Sequence, residues 1–129
     1  MEIKHIAIWS KDIEKLKSFY VDYFGGTAGN KYINSLKQFE SYFIAFESGA
    51  RLELMQNPAI HERFNNKVNQ YIGLNHIAFS VGSKAEVDKL TETLRNANCV
   101  VTSEPRTTGD GYYESCVLDP DGNQIEITI

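Results

Sequence analysis

The sequence predicts an α+β fold of two tandem βαβββ modules, because the chain contains itself twice. His5-Ile6-Ala7-Ile8 returns 71 residues later as His76-Ile77-Ala78-Phe79. Phe43 to Leu54 matches Cys116 to Ile127 at an offset of 73. Between these blocks, each copy carries apolar residues at helical spacing. The modules therefore run over about residues 2–56 and 74–129, joined by a polar connector, 57–73, with room for a helical turn. Residues 1–129 are expected to form one domain, long enough to bury a real core.

Each element has its own signal. In the first strand Ile6 and Ile8 alternate with His5, Ala7 and Trp9. A helix follows on the spacing of Ile13, Leu16, Phe19, Tyr23 and Phe24, and Gly25-Gly26 stops it. A short strand fits at about 26–33. The module closes with a strand at Phe43–Phe46, a turn at Gly49 and an alternating strand through Leu52 and Leu54. The second copy repeats the plan. Ile77, Phe79 and Val81 share one strand face, and Ser83 with Glu86 reads as a capping box. Val87, Leu90, Leu94 and Ala97 mark the helix, and a short strand fits at about 99–103. An Asp121-Gly122 turn then leads into Ile125, Ile127 and Ile129.

Composition narrows the function. A net charge of -4 argues against nucleic acid as a partner, since no basic stripe is present. No apolar run approaches the roughly 20 residues that span a bilayer, and the N-terminus lacks a secretory h-region. Cys99 and Cys116 form no CxxC motif and lie in apolar segments, which suits a reduced, cytoplasmic setting.

Strand alternation singles out four residues. His5 and His76 face away from the aliphatic stripes of their strands, and Glu53 and Glu126 face away from theirs. The aliphatic faces are expected to pack on the helices while the other faces curve, as a mixed sheet, around a cavity. One strand histidine is ordinarily structural and one strand glutamate ordinarily solvated. Repeat equivalence is what makes a set of these four. Two imidazoles and two carboxylates suit one divalent ion and leave coordination positions open. Imidazole favours Zn, Ni, Co or Fe over Mg and Ca, with Mn a further choice, and the ligand types do not choose among them. His61 stands in the connector without a partner and reads as a surface residue.

These residues resemble the vicinal oxygen chelate superfamily of glyoxalase I, bleomycin- and fosfomycin-resistance proteins, methylmalonyl-CoA epimerase and extradiol dioxygenases. The likeness runs over nearly the whole chain: His5-Ile6-Ala7, the Asp12-to-Phe24 helix, His76-Ile77-Ala78-Phe79 and Asp119-Pro120-Asp121-Gly122-Asn123-Gln124-Ile125-Glu126. The His, Glu, His, Glu set looks most like glyoxalase I, in which such residues hold Ni or Zn and a metal-bound glutamate moves a proton in a hemithioacetal. Extradiol dioxygenases use two His and one Glu on Fe. Small bacterial glyoxalases carry an arginine where this chain has Trp9, and that arginine grips the glutathione carboxylate. The asparagine after the first glutamate is kept as Asn57, while Thr107 to Gly111 departs from the glyoxalase pattern.

The resemblance implies a metal-dependent isomerase or lyase acting on a small molecule with two neighbouring oxygens, such as a 2-oxoaldehyde–thiol hemithioacetal. Glu126 is the first choice for the proton-transferring carboxylate, with Glu53 its symmetry equivalent. Trp9, Asn57, Arg106, Tyr112 and Tyr113 are expected to contact the substrate, and Arg51 either lines the wall or supports Glu53. Other activities of the superfamily (epimerase, thiol transferase, dioxygenase) and small-molecule binding without turnover stay open. A homodimer is expected by the same resemblance.

Overall fold

The computed structural model describes residues 1–61 and 72–129. In chain order the elements are β1 (His5–Trp9), α1 (Ile13–Phe24), β2 (Thr27–Ala28), β3 (Tyr32–Asn34), β4 (Phe39–Ala45), β5 (Arg51–Gln56), β6 (His76–Ser80), α2 (Lys84–Asn96), β7 (Val101–Thr107), β8 (Tyr113–Leu118) and β9 (Gln124–Thr128). They group into two compact units, Met1–Glu62 and Arg63–Ile129, each a mixed sheet with one helix. The α+β plan read from the repeat is the plan of the structure. The helical turn allowed for in the connector lies outside the described residues.

In the first unit the strands run β1-β5-β4-β2, with β3 also paired to β4. β1 and β5 are parallel, whereas the other pairs are antiparallel. The single strand expected at about 26–33 is two strands on one partner. Ala28 faces Ile44 and Tyr32 faces Ser41, so the β2–β3 side carries one residue more than β4 and the ladder breaks between them. Asp12 caps α1 by accepting from the Lys15 amide at 3.0 Å. Gly25, at φ 65°, ends it in the left-handed conformation. The helix buries Ile13, Leu16, Phe19 and Tyr20 against the side of the sheet that carries Ile44, Leu52 and Leu54. Removing each such aliphatic side chain from water contributes about 1.5–3 kcal/mol.

The second unit orders its strands β6-β9-β8-β7, with β6 parallel to β9. β7 extends past the expected 99–103 to Thr107, carrying Pro105 inside it. Proline is tolerated because β7 is an edge strand whose register shifts between Ser103 and Arg106. Ser83 caps α2 at 3.3 Å from the Glu86 amide, but the Glu86 carboxylate lies beside Lys89 and does not complete the expected box. Val87, Thr91 and Leu94 form its buried face, while Ala97 is exposed. Thr91 is tolerated there because its hydroxyl donates to the Val87 carbonyl and pairs with Ser115 Oγ, each at 2.6 Å. No described helix is long and apolar enough to cross a membrane.

Candidate metal centre

The outer faces of the two sheets carry the predicted ligands, and strand register brings them together in pairs. In the first unit Ala7 is the Cα partner of Glu53 and His5 that of Arg51. His5 and Glu53 are therefore diagonal neighbours on one face, with Nε2 and Oε2 3.6 Å apart. In the second unit Ala78 faces Glu126 and His76 faces Gln124. The same diagonal sets His76 Nε2 3.4 Å from Glu126 Oε2. The repeat seen in the sequence is thus a repeat of local geometry.

That spacing fits an ion better than a hydrogen bond. A charge-assisted N–H···O contact closes to about 2.7–2.9 Å. Two ligands each about 2.1 Å from an ion, at a tetrahedral angle, stand about 3.4 Å apart. The carboxylates are sheltered, at 18% and 17% side-chain exposure, while the imidazoles are open at 42% and 38%. His76 Nδ1 lies 2.9 Å from Asn75 Oδ1; with the ring proton donated there, Nε2 carries the lone pair that a ligand needs. Among the described residues no group of three or more His, Cys, Asp and Glu side chains is placed to hold one ion. Each unit offers one pair, half of an ordinary coordination shell.

The surroundings of the pairs differ. In the first unit Phe43 is the cross-strand partner of Glu53. The His5 ring meets it edge-on at 5.4 Å, and the Arg51 guanidinium lies over its face at 4.4 Å. Arg51 thus packs on an aromatic ring, not against Glu53. Trp9 continues the His5 face of β1, half exposed, its ring 6.1 Å from Phe39. Phe43 was absent from the expected site because an aromatic within Phe43-Ile44-Ala45 reads as core. Its place opposite Glu53 was the available signal.

In the second unit Cys116 occupies the position opposite Glu126, and burial first, then the Glu126 charge, pushes its thiol up. Glu114, two residues along on the same face, is likewise pushed up by burial and by Glu126. Arg106 lies across from Glu114 in the β7–β8 pairing, with Nη2 3.7 Å from its carboxylate and Nη1 donating to Ser103 Oγ. No local pattern marks Glu114 as a site residue; strand register alone puts it beside the pair. Tyr112 is exposed in the β7–β8 loop. Tyr113 lies on the helix side of β8, opposite to Glu126 by strand alternation, and there its hydroxyl donates to Asp88 of α2 at 2.7 Å. Asn57 is committed to backbone, its amide donating to the Lys37 carbonyl and its oxygen accepting from the Ala59 amide, both at 2.9 Å. His61 is exposed, as expected.

Comparison with known proteins adds to this geometry. A stretch of 59 residues is 39% identical to YqjT of Bacillus subtilis (strain 168), covering 43% of this chain and 46% of that protein, so the match spans about half the relative's length. The fold is similar to that of a glyoxalase family protein from Enterococcus faecalis, with a TM-score of 0.79 at 23% identity over 99% of this chain and 97% of that one. It is also similar to glyoxalase I from Zea mays, with a TM-score of 0.77 at 21% identity over 98% of this chain; this chain spans 44% of the maize protein. The model of one family matches residues 2–127, nearly the full length. The chain belongs to the Glyoxalase/Bleomycin resistance protein/Dioxygenase superfamily.

Proposed function

We propose that this protein is a metal-dependent isomerase or lyase, of the glyoxalase I kind, acting on a small molecule that presents two neighbouring oxygens. The observation that carries the reading is the His–Glu pair built twice, at 3.6 and 3.4 Å, by the same parallel strand register. His5, Glu53, His76 and Glu126 would together hold one divalent ion, Zn or Ni first, with the two units acting as one domain in a homodimer. Bound there, the ion would polarise the chelating oxygens and offset charge developing in the transition state. Glu126 withdraws a proton from the carbon beside a carbonyl and returns it to the neighbouring carbon, while Glu53 is the alternative base. Trp9, Arg106 and Tyr112 are the proposed substrate contacts. Trp9 presents a flat surface and one N–H, so a thiol adduct other than that of glutathione suits it. We place the protein in the cytoplasm, in keeping with Cys99 and Cys116 not being joined by a disulfide.

Metal analysis of untreated protein, with a methylglyoxal assay using glutathione and other thiols, tests this directly. About one ion per chain and thiol-dependent isomerisation are expected. Tight ligand binding with no ion and no turnover would replace catalysis with sequestration.

A further inference from the structure

Arg51 is a charge beside the His5–Glu53 pair that ion binding does not require. It is exposed on the same face as Glu53 and is the strand partner of His5. Among the described residues no ion pair to a carboxylate holds it; what holds it is the Phe43 ring, 4.4 Å from the guanidinium. A guanidinium held over an aromatic face keeps its N–H donors on the side away from the ring for other partners, and the ring limits where it can sit. Phe43 also touches the His5 ring, at 5.4 Å, so one side chain sets the positions of imidazole and guanidinium together. The second unit has no such device: its equivalents of Arg51 and Phe43 are Gln124 and Cys116. Duplication explains a His–Glu pair in both units, but not an arginine held over an aromatic ring in one.

We propose that Arg51, oriented by Phe43, is an anion-recognition residue, and that the substrate carries an oxyanionic group, a carboxylate or phosphonate, next to its two chelating oxygens. The planar fork takes such a group through two parallel N–H···O bonds. The ion-chelating part of this proposal rests on the reading under Proposed function; the anion grip rests on Arg51 and Phe43 alone.

The test compares acetohydroxamate, which chelates through two oxygens, with malonomonohydroxamate and with phosphonoacetohydroxamate, which add the two anion types. Binding to the full chain loaded with Zn is read by calorimetry and by quenching of Trp9, the sole tryptophan. One or both anionic probes should bind about tenfold to a hundredfold more tightly than acetohydroxamate, and the stronger of the two assigns the group. Arg51→Gln, which installs the residue of the second unit, should bring the preference to within about twofold while Zn content stays that of wild type. Arg51→Lys should keep part of it, because the charge remains and the fork does not. Equal affinity of wild type for all three probes, or an undiminished preference in Arg51→Gln, overturns the proposal. If the protein takes up no metal, the reading of the four ligands fails and the grip is judged on malonate and methylphosphonate with the metal-free chain. One of them must then bind wild type and lose that binding in Arg51→Gln, or the proposal fails as well.

Discussion

The two units share a backbone plan and a ligand pair but differ in everything that frames the pair. Position for position, Ala7–Glu53 and Ala78–Glu126 are the same register contact in the same parallel pairing. Around the first pair stand Phe43, Arg51 and Trp9; around the second stand Cys116, Gln124 and Ser80, with Glu114 close by. What stayed alike is the diagonal His–Glu contact that two parallel strands supply, and what diverged is the side chains around it. The His–Glu geometry is thus a property of the repeat, and its surroundings a property of each unit.

The strongest way to break this comparison is to treat the units as interchangeable at the carboxylates. Glu126→Gln is expected to lower turnover by about 10²–10⁴-fold with metal still bound, and Glu53→Gln by clearly less. Matched losses, measured with metal content, would make both glutamates bases and the units equivalent in chemistry. His5→Ala and His76→Ala should each lower metal affinity by about a hundredfold or more, since loss of a ligand exceeds the effect of disturbing its support.

The buried faces sharpen the comparison next. Leu54 and Ile127 are repeat equivalents, both fully buried. Leu54→Ala and Ile127→Ala should each cost about 2–5 kcal/mol in urea unfolding. A much smaller loss in one would mean that its unit is the looser packed. The helix ends differ more subtly. α1 ends on Gly25 at φ 65°, whereas after α2 the left-handed residue is Asn98 at φ 63°. No atom lies within 4 Å of a Cβ added at Gly25, so the cost of Gly25→Ala is conformational, about 1 kcal/mol. Asn98→Gly should go the other way, by a few tenths of a kcal/mol.

The smallest effect concerns Glu14, whose equivalent network the second unit lacks. Its carboxyl is held down at about 2, from an ordinary 4.5, chiefly by Lys17, then by Tyr42. A lowered folded-state value means that the stabilisation is complete above about pH 4.5 and is lost as pH falls toward 2. Glu14 is half exposed, so solvent screening keeps the contribution below about 1 kcal/mol. Wild type and Glu14→Gln should differ slightly at pH 7 in thermal unfolding and converge as the pH approaches 2.

Periodicity and repetition made the helices, the closing strands and the matched placement of His5, Glu53, His76 and Glu126 legible, because each rests on local alternation or on a match between halves. The side of β8 that Tyr113 takes is less legible for the opposite reason: it follows from pairing with β9 and from Asp88, neither of which is adjacent in sequence. The break between β2 and β3 depends on a one-residue mismatch with β4, which no single strand announces. Phe43 and Glu114 needed the cross-strand register to be recognised as neighbours of the ligands.

The parallel pairing of the first and last strands of each unit also sets an order of events. His5 and Glu53 are about fifty residues apart in the chain, as are His76 and Glu126, with a helix and three strands between them in the first unit and a helix and two strands in the second. Contacts of such long range are made late, since loop closure must be met before they reward it. Neither pair exists until the first and last strands of its unit have met. An ion held by a pair would therefore favour the assembled unit over the unfolded chain.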